Sequence, residues 1–343
     1  MDHGLFAELM QLDTFFPPYT KLTDIPEMAS AAEEIGFDAI WVAETQHNSF
    51  LPCVLIAEHT KNIRFGTAIA VSFARSPAVM AHVGWDLAEA SDGRFILGLG
   101  TQVKAHIERR FGMPWPDSPV GKLREQLMGI RAFWQNWQTG EKLNQRGEYY
   151  KLTLTSPFFT PASIENPEIP IYIAGVNTGL ARLAGETADG FQVHPLNTSK
   201  YLREVIVPAI EDGAAKAGRK REDVPIAINA FVVTNDTERS FARQQVSFYA
   251  STPSYRRVLA LHGWEDTGAH LSKLAAKKQW DQMPDLISDE MLGEFATVAD
   301  EAELPAALQE RYAGLGDRIT IYMPFVPGER DNFWQYMRRR FSQ

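Results

Sequence analysis

Hydrophobic and polar positions along this chain fall into two alternating rhythms. Short runs rich in β-branched and aromatic residues recur at 4–9, 39–44, 63–70, 94–100, 169–176, 190–195, 224–234 and 318–325. Between most of them, apolar residues return every third or fourth position, the period of a helix with one buried face. Strands that alternate with helices pair in parallel, and eight such units in one chain predict a sheet closed into a (β/α)8 TIM barrel. Barrels of this kind carry their chemistry at the C-terminal ends of the strands, so candidate residues are sought there.

The helical stretches carry local signals. Asp24 and Glu27 have capping-box spacing, ahead of a stripe of Met28, Ala31, Ala32 and Ile35 that closes at Gly36. Ser76-Pro77 opens a second helix that runs through Ala90 and stops at Ser91-Asp92-Gly93. A third, from about Gly121 to Trp137, lines up Leu123, Leu127, Ile130, Phe133, Trp134 and Trp137, a stripe suited to the core or to a subunit contact. Two segments break the rhythm. Residues 138–168, with Gly140, Gly147, Pro157, Pro161 and Pro167, read as a hairpin excursion before the fifth strand; 251–297 read as a helical, lid-like insertion after the seventh. Residues 1–343 then form a single barrel domain with two insertions, since such barrels commonly run to ~250 residues and beyond.

Composition narrows the function. A net charge of −9 and a pI near 5.5 leave no basic footprint for nucleic acid. The one concentrated basic run, Arg338-Arg339-Arg340, suits the C-terminal end of a last helix. Cys53 is alone, which excludes a disulfide within the chain, and its apolar neighbours in PCVLIAEH predict a packed thiol. The first residues, MDHGLFAELMQLD, lack the basic and apolar regions of a secretion signal, and no apolar run approaches ~20 residues. A cytoplasmic protein acting on a small molecule is the expectation, with no nucleic-acid or membrane partner.

Chemistry-bearing residues cluster after the strands. The second ends at Glu44, followed by Thr45-Gln46-His47-Asn48. An acid and an imidazole at a barrel mouth are placed to move protons, although Glu44 could equally tie down its loop and leave His47 on the surface. The third strand carries small residues through Gly66-Thr67-Ala68-Ile69-Ala70, which let another group approach the backbone. The fourth ends Gly98-Leu99-Gly100-Thr101-Gln102, and Lys104, His106 and Glu108 then enter a helix. Exposed amides there suit an anionic group. The pattern is half of a dinucleotide fingerprint, but Val103 stands where the third glycine belongs, so a Rossmann fold is rejected. Gly175-Val176-Asn177-Thr178-Gly179 repeats such a turn after the fifth strand, and His194 closes the sixth. Two such turns suggest an extended ligand bearing a phosphate. H-E-x-x-H, G-x-S-x-G and P-loop motifs are missing, and no metal is expected.

The segments IGFDAIWVAETQH, IRFGTAIAVSFARSP, GRFILGLGTQVKAHIERRFGMPW and IPIYIAGVNTGLARLAGETADGF resemble the bacterial luciferase-like flavin and deazaflavin oxidoreductases, over essentially the whole chain. ETQH, GTAIAV and LGLGTQVKAHIERRFGMPW are most similar to the branch that uses the deazaflavin coenzyme F420. The resemblance implies a flavin-like ring across the strand ends and a non-prolyl cis peptide at Ala68-Ile69 behind it. It implies that Gly100, Thr101, Gln102, Gly175, Val176 and Asn177 hold the ring edge, ribityl chain and phosphate, with His194 along the tail. Many deazaflavin relatives have a histidine directly after the strand-two acid, where this chain has Thr45. They also often have a glutamate close behind the strand-four Gly-Thr, where Val103 and Lys104 stand here. The proton donor is therefore sought among Glu44, His47, His106 and Glu108, with His47 supported by Glu44 the leading pair.

The implied activity is hydride transfer between C5 of F420 and a small or medium organic substrate, an alcohol or carbonyl or an enone. Phe50, Phe73, Phe111 and Trp115 would wall an apolar substrate. The alternatives are an FMN-dependent monooxygenase served by a separate reductase, and a non-catalytic flavin-binding protein. Relatives of this fold also imply a homodimer, for which the Trp134/Trp137 face is the candidate contact.

Overall fold

The structure, a computed structural model, describes residues 10–343. Eight parallel strands form the barrel: β1 (Gln11–Phe15), β2 (Ala39–Val42), β3 (Arg64–Thr67), β4 (Phe95–Gly100), β5 (Ile171–Gly175), β6 (Gly190–Val193), β7 (Ile226–Val233) and β8 (Arg318–Ile321). Each pairs with the next in sequence, and β8 pairs back onto β1, which closes the sheet. The register is direct: Gln11, Leu12 and Asp13 lie opposite Arg318, Ile319 and Thr320. Apolar helices pack around the outside, as the alternating pattern predicts.

The first strand is not where the hydrophobic pattern placed it. The run 4–9 lies outside the described residues, and β1 is instead QLDTF, whose centre holds a charge. Asp13 is fully buried inside the barrel. It accepts from the Arg318 guanidinium at 2.6 and 2.8 Å and from Trp41 Nε1 at 2.8 Å. A charge at that depth is tolerable only with such partners, and they come from β8 and β2, far away in sequence.

The third strand is also interrupted. β3 stops at Thr67, the Ala68–Ile69 peptide is cis, and Ala70–Val71 resumes pairing alongside Leu99 and Gly100 of β4. The barrel interior accommodates this closely: a Cβ on Gly98 would lie 1.7 Å from the Thr67 carbonyl oxygen. Thr67 Oγ1 donates to the Gly98 carbonyl at 2.6 Å and accepts from the Gly98 N–H at 2.9 Å, which stitches the two strands together.

Strand alternation decides what faces inward. Ala39, Trp41, Ile96 and Tyr172 form an interior cluster distinct from the main core, with Phe15 and Ala68 packed against it. Arg318 shares that interior through Asp13, so Thr320 and Tyr322, two and four residues on, face the same way.

Outside the barrel the sequence signals are partly realised. Ser76 Oγ accepts from the Val79 N–H and caps the helix Pro77–Ala90. The capping box at Asp24 does not form. Asp24 ends a 3-10 turn with helical backbone angles, and its carboxylate accepts from Thr23 Oγ1 instead. Trp134 and Trp137 are buried within the chain and not offered to a partner. Trp134 Nε1 donates to the Ala81 carbonyl at 2.9 Å, and Trp137 packs edge-on against Trp85 at 5.5 Å. The interruption after the helix Pro119–Thr139 contains a small antiparallel hairpin, Gln145–Arg146 with Lys151–Leu152. After the helix Asp236–Ala250 comes a chain of short helices, among them Arg256–Ala260, Glu265–Ala276 and Asp289–Phe295. It ends in a strand, Ala296–Val298, parallel to β7. Among the described residues no helix is long and apolar enough to cross a membrane.

Candidate active site

The C-terminal ends of the strands gather most of the residues singled out in the sequence, but in unequal roles. Glu44, just past β2, is an anchor. Its carboxylate receives Arg75 at 2.6 and 2.8 Å and the Val71 N–H at 2.7 Å, so both oxygens are engaged. The Glu44 N–H in turn donates to the Ile69 carbonyl at 3.3 Å. The acid therefore fastens the interrupted third strand to β2. It does not support His47, which is exposed in the following loop. The Arg75 guanidinium also lies 5.3 Å over the Phe50 ring, which fixes its plane.

His106 and Glu108 sit on the short helix Lys104–Arg109 and are both exposed, Glu108 facing Lys104 at 3.7 Å. Arg110, just beyond, donates to the Thr45 carbonyl at 2.7 Å and ties this segment to the loop after β2. Of the proposed aromatic wall, Phe50 and Phe73 are buried in the core, whereas Phe111 and Trp115 are half-exposed. Trp115 packs edge-on to Phe73 at 5.7 Å.

Gly100 and Ile69 meet where β4 passes the cis peptide. A Cβ on Gly100 would fall 2.6 Å from Ile69 Cγ1, so a larger residue there would force that side chain to move. Thr101 and Gln102 follow, Gln102 in the left-handed region at φ 60°, its side chain accepting from the Val103 N–H at 3.0 Å. Gly175 and Val193 are register partners on β5 and β6, so Val176-Asn177 and His194 emerge side by side. Tyr201 Oη donates to the Val176 carbonyl at 2.9 Å and steadies that turn.

His194 accepts the Leu196 N–H on Nδ1 at 3.0 Å, which leaves its proton on Nε2. Burial pushes its pKa down to about 3, so the ring is neutral at working pH and offers a donor only. Tyr255 and Tyr249 enclose it, with ring centroids 4.4 and 4.9 Å away. Asn197 Nδ2 donates to the His194 carbonyl at 2.9 Å and to the Asn229 carbonyl at 3.1 Å, which links β6 to β7.

A phosphate-bearing cofactor finds a fit at one place in particular. Asn177 is the cap residue of the helix Thr178–Thr187, yet its side chain makes no capping bond. Its Oδ1 is buried and has no hydrogen-bond partner among the described residues. The first N–H groups of a helix lack intrahelical acceptors and carry the positive end of its dipole. The uncapped amides are what an anionic group completes, while the orphan Oδ1 calls for a donor such as a hydroxyl of the cofactor's tail.

Three residues in this region were not found from the sequence. Arg75 was hidden because its partner lies 31 positions away. Tyr249 and Tyr322 were hidden because one is on the helix after β7 and the other just past β8. Their hydroxyls meet at 2.5 Å. The inward parity of Arg318, Thr320 and Tyr322 was the available signal for the second.

The profile of the luciferase-like monooxygenase family matches residues 8–318. An uncharacterized protein of Mycobacterium tuberculosis is 43% identical over 319 residues, 91% of this chain and 93% of its own length. The F420-dependent glucose-6-phosphate dehydrogenase of Amycolatopsis mediterranei is 30% identical over 240 residues, 66% of this chain and 69% of its own. Among solved structures, the coenzyme F420-dependent tetrahydromethanopterin reductase of Methanopyrus kandleri superimposes with a TM-score of 0.77 at 21% identity, covering 95% of this chain and 96% of that one. With the closed parallel barrel and a family match across most of its length, this chain belongs to the luciferase-like monooxygenase family.

Proposed function

We propose that this protein is an F420-dependent oxidoreductase that moves a hydride between the deazaflavin and an apolar organic carbonyl or alcohol. The observation that carries the reading is the uncapped start of the helix Thr178–Thr187, whose first N–H groups no side chain claims, beside His194 and next to the end of β4 at Gly100. It supports an anionic cofactor tail there, with the ring lying toward Ala68-Ile69. The relative from Amycolatopsis, named for its dependence on F420, supports a deazaflavin over a flavin.

When bound, a deazaflavin supplies a hydride at C5, and the protein's part is to align and exclude water. Gly100 and Ile69 would form the floor on which the ring rests. Thr101, Gln102, Val176 and Asn177 would hold its edge and tail, and His194 would donate from Nε2 to an oxygen of that tail. Glu44 and Arg75 would act through the backbone by keeping the third strand in place. The helices after Ala250 would close over the mouth and limit water.

Equilibrium titrations with F420 and separately with FMN, followed by fluorescence quenching, test the reading. The expected result is F420 binding at least about tenfold tighter, a difference of about 1.4 kcal/mol. Tighter FMN binding would replace it with oxygen-using flavin chemistry. Binding of neither would leave a non-catalytic protein.

A further inference from the structure

We propose that Tyr322, held by Tyr249, donates the proton to the carbonyl oxygen of an aromatic ketone or aldehyde as hydride reaches its carbon. The proposal rests on the hydride-transfer reading above and names the proton source and substrate class for the same site. Both Glu44 oxygens are committed to Arg75 and Val71, and His47, His106 and Glu108 are exposed to solvent, whereas Tyr322 offers a partly buried hydroxyl at a strand end.

Tyr322 has the required position. It follows β8 directly, its N–H donates to the Ala230 carbonyl at 2.7 Å, and strand parity turns it into the barrel with Arg318 and Thr320. Its hydroxyl meets that of Tyr249, on the helix that leads into the insertion. In a pair of hydroxyls one donates to the other, and the acceptor keeps its own O–H for a third group. Burial raises the Tyr322 phenol above its ordinary range, while the hydrogen bond from Tyr249 lowers it. Burial raises Tyr249 as well, and its bond to Tyr322 adds to the rise. The proposal has Tyr249 as donor to Tyr322, so that the Tyr322 proton is free and a phenolate left behind would be stabilised.

The surroundings of the pair are aromatic. Phe15 at the end of β1, Phe231 on β7 and Phe241 lie 5.6, 4.7 and 6.4 Å from the Tyr322 ring, Phe241 stacked on it and 40% exposed. Phe248, half exposed beside Tyr249, reaches Trp280 at 6.0 Å. Phe15 and Phe231 pack on the tyrosine itself, and the exposed parts of Phe241 and Phe248 are the apolar surface on which a planar substrate with a single oxygen would lie.

The step balances. The hydride pair from the reduced deazaflavin forms the new C–H bond and the C=O π pair moves to oxygen. That oxygen takes the Tyr322 proton to give the alcohol, and water reprotonates the phenolate through Tyr249. The oxidised deazaflavin is the other product.

The test uses full-length wild type, Tyr322→Phe, Tyr249→Phe and His47→Ala, with F420 binding measured for each and reduction of acetophenone and benzaldehyde by reduced F420. Wild type is expected to reduce at least one of these. Tyr322→Phe is expected to bind F420 within about twofold of wild type and to lose about 100-fold in kcat, within the range of general-acid catalysis. Tyr249→Phe should lose about tenfold, KM changing little in either. In the coenzyme-free protein, Tyr249→Phe should also move one alkaline tyrosinate transition, absent from Tyr322→Phe, to higher pH. That spectroscopic shift reports that Tyr249 donates to Tyr322, and an unmoved transition would overturn that assignment. Tyr322→Phe that binds F420 and keeps its kcat overturns the proposal, as does loss of kcat in His47→Ala alone. Wild type that binds F420 but reduces neither carbonyl overturns the substrate class. Wild type that binds no F420 removes the functional reading itself, and the proposal falls with it.

Discussion

Glu44 and Arg75 form a two-pronged ion pair at 2.6 and 2.8 Å, and the same carboxylate accepts the Val71 N–H at 2.7 Å. The pair joins the end of β2 to the chain that resumes after the Ala68–Ile69 peptide. Its two side chains are only 7% and 14% exposed, so the charges hold each other with little help from water.

Removing one partner should therefore be costly. Arg75→Met would leave the Glu44 carboxylate nearly buried against one backbone N–H. We expect about 3 kcal/mol of lost stability in urea unfolding and F420 binding at least about tenfold weaker. A variant as stable and as competent as wild type would show that the pair is ornamental.

Gly100→Ala tests the floor beneath the ring. The added Cβ would meet Ile69 Cγ1 at 2.6 Å and Cδ1 at 2.7 Å, so the Ile69 side chain would have to shift. Overpacking of this kind costs about 1–3 kcal/mol. Cofactor affinity should fall more than global stability, because the displaced atoms line the mouth. Paired calorimetric unfolding and binding measurements separate the two effects, and unchanged binding would contradict the assignment.

Asn177→Asp should act with opposite signs. A carboxylate at the start of the helix Thr178–Thr187 favours its dipole, by about 0.5 kcal/mol in the cofactor-free protein. The same charge repels an anionic tail, so F420 should bind at least about tenfold more weakly. Equal affinity in the two proteins would place the tail elsewhere.

His194 makes stability depend on pH. Its folded pKa, near 3, lies below the ordinary imidazole value, so the unfolded chain binds a proton that the native state refuses. Stability from this group is complete above about pH 7 and falls as pH drops from about 6.5 toward 3, by at most about 1.4 kcal/mol per unit. Between pH 7 and 5, wild type should lose about 2 kcal/mol more than His194→Asn in urea titrations. Parallel losses in the two proteins would mean that the ring is open to water.

The barrel was legible in the sequence because its signals are local. Strand and helix periods, Ser76-Pro77 and the glycines that close helices depend on neighbours within a turn or two. Gly100, Thr101, Gln102, Gly175, Val176, Asn177 and His194 could be singled out because strand ends in such a barrel are where ligands bind, wherever the partners come from. What depends on distant partners stayed hidden. QLDTF does not read as a barrel strand, since Asp13 is acceptable in the interior only when Arg318, 305 residues away, and Trp41 meet it there. Glu44 and His47 look like a catalytic pair in sequence, but in the structure Arg75 claims the carboxylate and His47 is exposed in the following loop. Trp134 and Trp137 look free for a partner until the helix Pro77–Ala90 covers them. Tyr249 and Tyr322, 73 positions apart, become a pair only when the helix after β7 folds over the end of β8. Periodicity is a property of adjacent residues and survives in one dimension; the pairing of charges and hydroxyls is set by closure of the sheet, which brings the two ends of the chain together.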